Sequence, residues 1–546
     1  MIWCPGILVS RGDRAMRRWT PPVELSKREQ FIMRRLKRTR KLYAFLRSHR
    51  HELFDEAFQT ELEGMYRQTG AGLEALPPAQ MCMVVLLQAY ARISDAEAVE
   101  LSLLDLRWQM VLDCAGAEEP RFSQGALQGF RERLIRAEMD QRLLERTIEL
   151  ARRTQEFDWK KLPRELRLAV DSRPLEGAGR VEDTLNLLGH AARKVVQAAA
   201  LLLKQRFEDI CQTAGIPVLL HASVKAGLDL NWSDPEQKDE AIDLLHRQIT
   251  RLVEWLECQQ LEVAEPVRPF LEAIAQVQKQ DLEKKKGKVC IRRGVAEDRR
   301  ISIEDEEMRH GRKSRSKRFN GFKQHLGIDV DTELVVACAV TPANRPEEEA
   351  SSELTKDLER QSRRVGELMI DRAYVNSDLV SDTLDAKGEV LAKPWAMRNT
   401  RQLYTKGDFK LDMRAKTITC PAGQVERFEP GEVVEFDPEI CGACPKRSQC
   451  THSASGRGRT VHIAEDEQLQ HRLRKLQASP KGRERLRERV KIEHRLAHLS
   501  ARQGPRARYR GTRHNVFDLR RHAAILNLET IQRKEAERPP LRILHG

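Results

Sequence analysis

The sequence predicts an α/β core that is joined to an N-terminal all-helical domain, a helical insertion and a small Cys-rich insertion. Three observations predict this architecture. Apolar residues recur three or four apart over residues 24–158, strand and helix patterns alternate after Leu166, and four cysteines cluster between Cys420 and Cys450. At about 100–200 residues per domain, the 546 residues leave room for several such units.

The N-terminal helical domain is predicted for residues 24–160, after a disordered tail at residues 1–23. Charged faces alternate with apolar ones at helical spacing, and strand signals are nearly absent. The helices are predicted at residues 27–47, 52–67, 78–91, 95–106 and 124–155. The domain is either a packing and oligomerisation module or a binder of nucleic-acid ends, and both interpretations stay open.

The α/β core is predicted in three pieces, residues 161–204, 301–398 and 464–530. Strands are expected at residues 166–171, 323–331, 333–342, 366–371 and 389–393, and core helices at 184–204, 347–361 and 377–386. A long charged helix is expected from residue 465 to about 501. This alternation is typical of an α/β sheet with helices on its faces.

Two insertions separate these pieces. Residues 205–300 show a helical pattern that ends in the charged run 284–288, and residues 399–463 are rich in turns and cysteines. Residues 531–546 are expected to form a tail.

The charge balance favours a polyanionic partner. The chain has 96 Lys and Arg against 82 Asp and Glu, a net charge of +14, and such an excess is typical of proteins that bind nucleic acid or acidic membranes. The most apolar stretches, residues 81–91 and 196–203, are shorter than the ~20 residues that span a bilayer. We therefore expect a cytoplasmic protein without membrane contact or a signal peptide.

Three acids stand out by position. Asp171 and Asp371 end predicted strands, and Glu493 lies on the late helix. Strand ends of an open α/β sheet are where catalytic groups converge. Carboxylates are the oxygen ligands that Mg²⁺ prefers, and a pair of such ions can cut a phosphodiester. Taken singly, each acid also fits a strand-end cap or a salt bridge.

Helical spacing predicts which way Glu493 points. One face of the late helix carries Leu486, Val490, Glu493, Leu496 and Ser500. Glu493 is therefore expected to point inward, where an unpaired carboxylate is costly. A metal ion would be a suitable partner.

Several segments, in order, resemble motifs of bacterial insertion-sequence DDE transposases. They are residues 171–186, residues 309–314 with 319–325, residues 368–374, residues 489–496, and residues 508–511 with Asn515. The resemblance extends from about residue 24 to residue 533, and it assigns Asp171, Asp371 and Glu493 as the first, second and third acids of the family.

The chain departs from the family pattern in places. Arg173 stands where Thr or Ser is frequent. One related group carries Tyr, Arg, Glu and Lys at fixed offsets on the third-acid helix; here Arg489 and Glu493 fit, whereas Leu486 replaces the Tyr and Ser500 replaces the Lys. The chain therefore resembles the broad DDE pattern more than that group.

The resemblance implies a ribonuclease-H-like core in which the three acids hold Mg²⁺ or Mn²⁺. It also implies cleavage of double-stranded DNA at terminal inverted repeats and joining of the freed end to target DNA. Because two ends must be held together, we expect a homodimer in the DNA complex. Two alternatives stay open: a ribonuclease-H-like nuclease without strand transfer, and an inactive, domesticated DNA-binding protein.

Basic residues cluster in two places, before the core strand at residue 323 and after the third-acid helix. Their position favours contacts with DNA phosphates, and the interleaved aromatic ring of the second cluster could stack a base. The candidate DNA-binding residues are Arg312, Lys313, Lys317, Arg318, Lys323, Arg489, Arg508, Tyr509, Arg510 and Arg513. A solvated linker is the alternative for the first cluster.

The four clustered cysteines predict a structural zinc site. Cys441 and Cys444 form a CxxC pair, and Cys420 and Cys450 flank it. Four thiolates can close a tetrahedral Zn²⁺ site. Free thiols in a turn-rich insertion are the alternative.

Overall fold

The computed structural model describes residues 17–36, 41–66, 75–154, 157–160, 162–228, 234–285, 287–314, 316–397, 402–454 and 456–537. Residues 1–16 and 538–546, which belong to the two predicted tails, lie outside the described residues.

The N-terminal region is helical, as predicted. Its described helices are α1 (Lys27–Arg35), α2 (Lys41–Leu53), α3 (Glu56–Glu63), α4 (Pro78–Ala91), α5 (Asp95–Leu104), α6 (Leu106–Leu112), α7 (Gln124–Arg136) and α8 (Met139–Arg153). The nearly all-apolar α4 is buried along most of its length and forms the centre of this region.

Three helices that were predicted as continuous are divided. The helix expected at residues 124–155 is α7 and α8, because Glu138 between them adopts a left-handed conformation with a φ of 53°. The helix expected at residues 27–47 is α1 and α2, because Leu36 leaves the helical conformation and caps α1. The helix expected at residues 95–106 ends at Leu104, because Asp105 is extended and its carboxylate accepts the backbone N–H groups of Arg107 and Trp108 at the start of α6.

Strand β1 (Leu166–Glu176) and helix α9 (Thr184–Leu203) follow. The insertion then contains α10 (Phe207–Thr213), a 3₁₀ turn (Pro217–Leu220), α11 (Val224–Leu228), α12 (Pro235–Cys258), α13 (Arg268–Asp281), β2 (Leu282–Lys285) and β3 (Lys288–Ile291). These helices pack on α9 around an apolar core of their own.

The charged run 284–288 does not end a helix, contrary to the prediction. Its described residues Lys284, Lys285, Gly287 and Lys288 lie in the hairpin of β2 and β3, which pair antiparallel. Gly287 has a φ of 81°, a left-handed conformation that glycine adopts without strain, and it allows the chain to reverse there.

The second part of the α/β region contains β4 (Arg309–Arg312), β5 (Arg318–Asp329), β6 (Val335–Pro342), a 3₁₀ turn (Glu347–Ala350), α14 (Ser351–Arg360), β7 (Val365–Met369), a 3₁₀ turn (Arg372–Tyr374), α15 (Asp378–Asp385) and β8 (Glu389–Leu391). Apart from β4, which was not predicted, the order of strands and helices is as predicted. The observed bounds differ from the predicted ones by a few residues at most termini.

These strands form one mixed sheet in the order β4-β5-β1-β7-β8, and β6 also pairs with β5. Strand β5 runs antiparallel to β1, β4 and β6, whereas β7 is parallel to both β1 and β8. One side of the sheet packs on α14 and α15 through residues such as Leu168, Val170 and Leu354. The other side shares its core with the N-terminal helices.

The Cys-rich segment forms small sheets and short helices around the aromatic residues Phe409, Phe428 and Phe436. Its elements are a 3₁₀ turn (Lys406–Asp408), β9 (Lys410–Asp412), β10 (Thr417–Thr419), β11 (Val425–Arg427), β12 (Val433–Glu435), α16 (Pro438–Gly442), α17 (Arg447–Cys450) and β13 (Thr460–His462).

The single late helix predicted from residue 465 to about 501 is three helices, α18 (Glu467–Ala478), α19 (Pro480–Arg487) and α20 (Val490–Gln503). Pro480 lacks the backbone N–H that would continue α18, and Ser479 caps α19 through Gly482. The last helix, α21 (Thr512–Glu537), contacts α2, α4, α8 and β6.

No helix within the described residues combines the length and the apolar character that crossing a membrane requires.

Candidate active site

Asp171 lies inside β1, not at its end as predicted. The strand continues to Glu176 because residues 172–176 stay paired with β5. Pairing with β7, however, stops at Ala169, so the edge of β1 is uncovered beside Asp171. The carboxylate there accepts the backbone N–H of Ser172 at 2.8 Å and has 17% of its side chain exposed.

Asp371 follows β7, which ends at Met369. Its Oδ1 accepts the backbone N–H of Arg372 at 2.8 Å and caps the 3₁₀ turn Arg372–Tyr374. Since β1 and β7 are parallel neighbours, their carboxyl ends meet at one edge of the sheet, as is usual for ligand sites in open sheets. Asp171 and Asp371 are therefore brought together by the sheet.

Glu493 lies in the first turn of α20, and 51% of its side chain is exposed. The prediction that it points inward is wrong. The buried face of α20 carries Ile492, Arg495, Leu496 and Leu499. The helical register taken from α19 does not continue into α20, because the two are separate helices.

Arg489 connects the third acid to the first. Its Nη1 donates to Asp171 Oδ2 at 3.1 Å, and its Nη2 donates to Glu493 Oε1 at 2.9 Å. Arg489 also lines a narrow cleft together with Asp371. Acids from β1 and from α20 thus contact one guanidinium, and the acid after β7 lines a cleft with the same arginine.

The acids influence one another. Burial raises the pKa of Asp171; Arg489 opposes this rise, and the charges of Asp371 and Glu493 add to it. Carboxylates that repel each other and are partly desolvated favour a cation between them.

Glu347, which begins the 3₁₀ turn after β6, is a further acid at the site that was not among the predicted site residues. Burial raises the pKa of Glu347; Lys323 and the Ser172 hydroxyl oppose this rise, while Asp171 and Asp371 add to it. The acidic run at residues 347–349, shortly after the core strand that ends at Pro342, is the signal that would have indicated it.

A neutral hydrogen-bonded pair lies beneath these acids. His325 Nδ1 and Tyr374 Oη are 2.6 Å apart, and His325 Nε2 is 3.0 Å from Thr341 Oγ1. Burial lowers the pKa of His325 to about 3, so its ring is neutral at neutral pH. Burial also raises the pKa of Tyr374 well above its usual range.

The acids suit Mg²⁺ or Mn²⁺ as donors, because these cations prefer carboxylate oxygens. Among the residues that the structure describes, however, no group of three or more His, Cys, Asp or Glu side chains is arranged to hold a metal ion. At the three acids, the guanidinium of Arg489 engages oxygens of Asp171 and Glu493.

Cys420, Cys441, Cys444 and Cys450 line one cavity. Burial raises the pKa of Cys450; Arg459 opposes this rise and the other three cysteines add to it, so the four thiols are neighbours. Four thiols are a suitable donor set for zinc. Their arrangement in the described chain is nevertheless not that of a metal site.

The first basic cluster forms the tip of the β4–β5 hairpin. Arg312, Lys313, Lys317 and Arg318 are exposed there, and none of them forms an ion pair with a described residue. Arg315, between them, lies outside the described residues. Lys323, further along β5, is largely buried and donates to the Arg345 carbonyl at 2.7 Å.

The second basic cluster is engaged with other protein groups. Arg508 bonds to the Ile93 carbonyl and to Asp95, and Arg513 bonds to Asp140. Arg510 pairs with Glu304 at 3.0 Å. The ring of Tyr509 packs beneath the guanidinium groups of Arg131, Arg508 and Arg521. These side chains connect the C-terminal segment to its neighbours, above all the N-terminal helices.

Comparison with known families gives two matches. The family described as Transposase DDE domain matches residues 419–532, a segment that contains Glu493 and the four clustered cysteines. The family described as Transposase domain (DUF772) matches residues 34–133, within the N-terminal helices. No curated protein and no solved structure matches the chain.

Proposed function

Since this chain is an insertion-sequence transposase of the DDE type, we propose that Asp171, Asp371 and Glu493 are the acids at which it cuts and joins DNA. The observation that carries the proposal is the contact of Arg489 with both Asp171 and Glu493, together with the cleft that Arg489 lines with Asp371. Three segments far apart in the chain meet there.

We propose a ribonuclease-H-like catalytic core. The central antiparallel strands β6, β5 and β1, followed by β7 and β8 parallel to β1, support it. The core is assembled from residues 161–204, 301–398 and 464–530. Residues 24–160, 205–300 and 399–463 are the helical domain and the two insertions.

The proposed reaction has two steps. In the first, the oxygen of a water bonds to phosphorus at the element end, and the 3′ oxygen leaves as a hydroxyl. In the second, that hydroxyl loses its proton, its oxygen bonds to a phosphorus of target DNA, and a target 3′ oxygen leaves and takes up a proton. The chain needs no covalent protein–DNA intermediate for either step.

Asp171, Asp371 and Glu493 would hold Mg²⁺ or Mn²⁺, which when bound supplies positive charge that stabilises the attacking and leaving oxygens. Arg489 must release the two carboxylates for this. A DNA phosphate is a suitable new partner for its guanidinium, because arginine binds phosphate oxygens in the same bidentate manner as carboxylates.

The basic hairpin tip of Arg312, Lys313, Lys317 and Arg318 would bind the DNA backbone and set its register. Its charges are exposed and without ion-pair partners among the described residues. Two copies of the chain would hold the two element ends, so the DNA complex contains at least a dimer.

The test is cleavage of a labelled DNA end taken from the gene's own flanks, with Mg²⁺ or Mn²⁺. Asp371→Asn should lower the rate by about a thousandfold or more, because a bound metal ion stabilises the transition state by several kcal/mol. Asp382→Asn, which changes an exposed acid on α15, is the matched control and should cut like the wild type.

Joining separates transposition from hydrolysis alone. A pre-cut end with a free 3′-hydroxyl should be joined to a target plasmid by the wild type but not by Asp371→Asn. Cutting without joining would favour a nuclease. Binding of the end without cutting would favour an inactive, domesticated protein, and equal cutting by Asp371→Asn would remove Asp371 from the site.

A further inference from the structure

Arg173 is a buried arginine two residues after Asp171 on β1, with 6% of its surface exposed. Alternate residues of a strand face the same side, so Arg173 and Asp171 share one face of β1. Helix α20 contacts both β1 and β5. The side chain of Arg173 therefore lies between the strand that carries the first acid and the helix that carries the third.

The guanidinium of Arg173 is bound mainly by the C-terminal end of α20. Its Nη1 donates to Ser500 Oγ at 2.9 Å and to the Gly504 carbonyl at 3.3 Å, and its Nη2 donates to Gln503 Oε1. Its Nε donates to Gln324 Oε1 of β5 at 2.8 Å. One side chain thus ties two strands of the sheet to the last turn of the helix.

This cation has no carboxylate within ion-pair distance among the described residues. Burial lowers the pKa of Arg173 to about 10, so the group stays charged at neutral pH. A buried charge without a counter-ion is costly unless hydrogen bonds satisfy it. The carbonyl end of a helix is a favourable place for a cation, which explains why the side chain is directed toward Gly504.

Two arginines consequently attach helix α20 to β1. One extends from the helix to the strand, and the other extends from the strand to the helix. Near its N-terminal end, Arg489 reaches from the helix to Asp171 on the strand. Near its C-terminal end, Arg173 reaches from the strand to Ser500 on the helix. Glu493 lies between the two attachments, so both determine where its carboxylate stands relative to Asp171.

We propose that Arg173 is a positioning residue for the third acid, which holds α20 along β1 so that Glu493 faces Asp171. The inference rests on the proposed function of these two acids. Arg173 does not touch the reacting groups. It acts through the placement of α20.

Arg173 and Ser500 face each other across the strand and the helix, with 2.9 Å between Nη1 and Oγ. A cation on the strand meets a hydroxyl on the helix, so the two side chains can be exchanged experimentally.

The experiment uses the full chain and three readouts: the cleavage rate at saturating DNA, the affinity for the DNA end, and Mn²⁺ binding without DNA followed by electron paramagnetic resonance. Arg173→Met should lower the cleavage rate about 10- to 100-fold, as expected for a displaced catalytic group. It should weaken Mn²⁺ binding and leave the affinity for the DNA end within about twofold, a margin well below 1 kcal/mol.

Arg50→Met is the matched control for the loss of a buried arginine. Arg50 is 1% exposed, donates to the carbonyls of Met110 and Val111, and has a pKa that burial lowers to about 10. It lies in the N-terminal helices. Both variants should lose thermal stability, but only Arg173→Met should lose Mn²⁺ binding and cleavage at a temperature where both are folded.

The double variant Arg173→Ser with Ser500→Arg provides a second test if Arg173→Met does not fold. Restored cleavage and Mn²⁺ binding in the double variant support the proposal, and a folded double variant without cleavage overturns it. A folded Arg173→Met that cuts and binds Mn²⁺ like Arg50→Met also overturns it. Glu493→Gln separates failure of the role of Arg173 from failure of the proposed function. If Glu493→Gln cuts DNA like the wild type, the proposed function itself fails.

Discussion

Lys323 and Glu347 form an ion pair beside the proposed active site, with 4.0 Å between Nζ and Oε1 and with both side chains largely buried. Glu347 also interacts with Ser172, Asp171 and Asp371. The ion pair thus adds a fourth carboxylate and a second cation to the surroundings of the three acids.

We expect Glu347→Gln to raise the Mn²⁺ concentration that gives half-maximal cleavage by about three- to tenfold, because it removes a negative charge worth about 1 kcal/mol of attraction for the cation. The neighbouring Glu349→Gln is the control, since Glu349 is half-exposed and pairs with Arg345. Cleavage titrations with Mn²⁺ measure the effect. Identical curves for wild type and both variants would remove Glu347 from the site.

The basic hairpin tip should control salt dependence. We expect the double variant Lys313→Gln with Lys317→Gln to reduce the slope of log affinity against log salt by about two, since each phosphate contact contributes about 0.9. Lys356→Gln with Lys475→Gln changes two exposed helical lysines and should leave the slope unchanged. DNA-binding titrations at several salt concentrations measure both slopes. Equal slopes for the two double variants would contradict the proposal that the hairpin tip binds the DNA backbone.

Arg513 should matter for stability more than for DNA binding. It donates to Asp140 and to the Ile135 carbonyl of the N-terminal region, and Asp140 is 2% exposed. We expect Arg513→Gln to lower the free energy of unfolding by about 1–3 kcal/mol and to leave the salt slope of DNA binding unchanged. Denaturant unfolding and the same titrations measure both. If Arg513→Gln changed the salt slope of DNA binding but kept the stability of the wild type, Arg513 would be a DNA-binding residue.

His325 should make the fold sensitive to acid. Its pKa in the folded chain is about 3 against 6.5 for the ordinary group. The unfolded chain therefore binds the proton first, and the stability that the neutral ring contributes is present above pH 6.5 and is lost as the pH falls toward 3. The expected loss is about 1.4 kcal/mol per pH unit.

We expect His325→Gln to show a shallower fall in the free energy of unfolding between pH 6 and pH 4 than the wild type. Urea unfolding at a series of pH values measures it. Parallel curves for the two proteins would show that another group dominates the acid response.

We propose that the four cysteines, which are neighbours but are not arranged as a metal site in the described chain, bind zinc when it is supplied. We expect about one Zn²⁺ per chain by elemental analysis, and loss of that metal with a lower unfolding temperature in Cys441→Ser, because the donor set matches a structural site. Cys258→Ser changes an exposed, isolated thiol and is the control. Wild-type protein that contains no zinc and has reactive thiols at all four positions would contradict this prediction. The segment would then be stabilised by its aromatic core alone.

The sequence predicted elements that depend on local pattern. The N-terminal helices and the order of strands around Asp171 and Asp371 follow from spacing and alternation, and the structure contains them. The strand-end argument predicted that Asp171 and Asp371 lie at the same edge of the sheet. The structure has them there although Asp171 lies inside β1, because pairing of β1 with β7 stops at Ala169.

Features that depend on tertiary contacts were not predictable in this way. The orientation of Glu493 was missed because a break at residues 488–489 resets the helical register. Glu347 was missed because its neighbours Ser172 and Lys323 are distant in sequence. The partners of the C-terminal arginines were not predictable either, because only the folded chain brings Asp95 and Asp140 against them.

Helix α21 contains the last described residues of the chain, yet it packs on α2, α4 and α8 near the beginning. Buried contacts such as Arg521 with Gln88, and Asn527 with Thr147, join the two ends. During synthesis α2, α4 and α8 leave the ribosome long before α21 is made. The apolar surface that these helices bury against α21 therefore stays exposed to solvent until α21 has been synthesised. A chain that terminates before Thr512 therefore lacks the helix that covers the N-terminal helices. We expect such a chain to expose their apolar surface and to be degraded by cellular proteases.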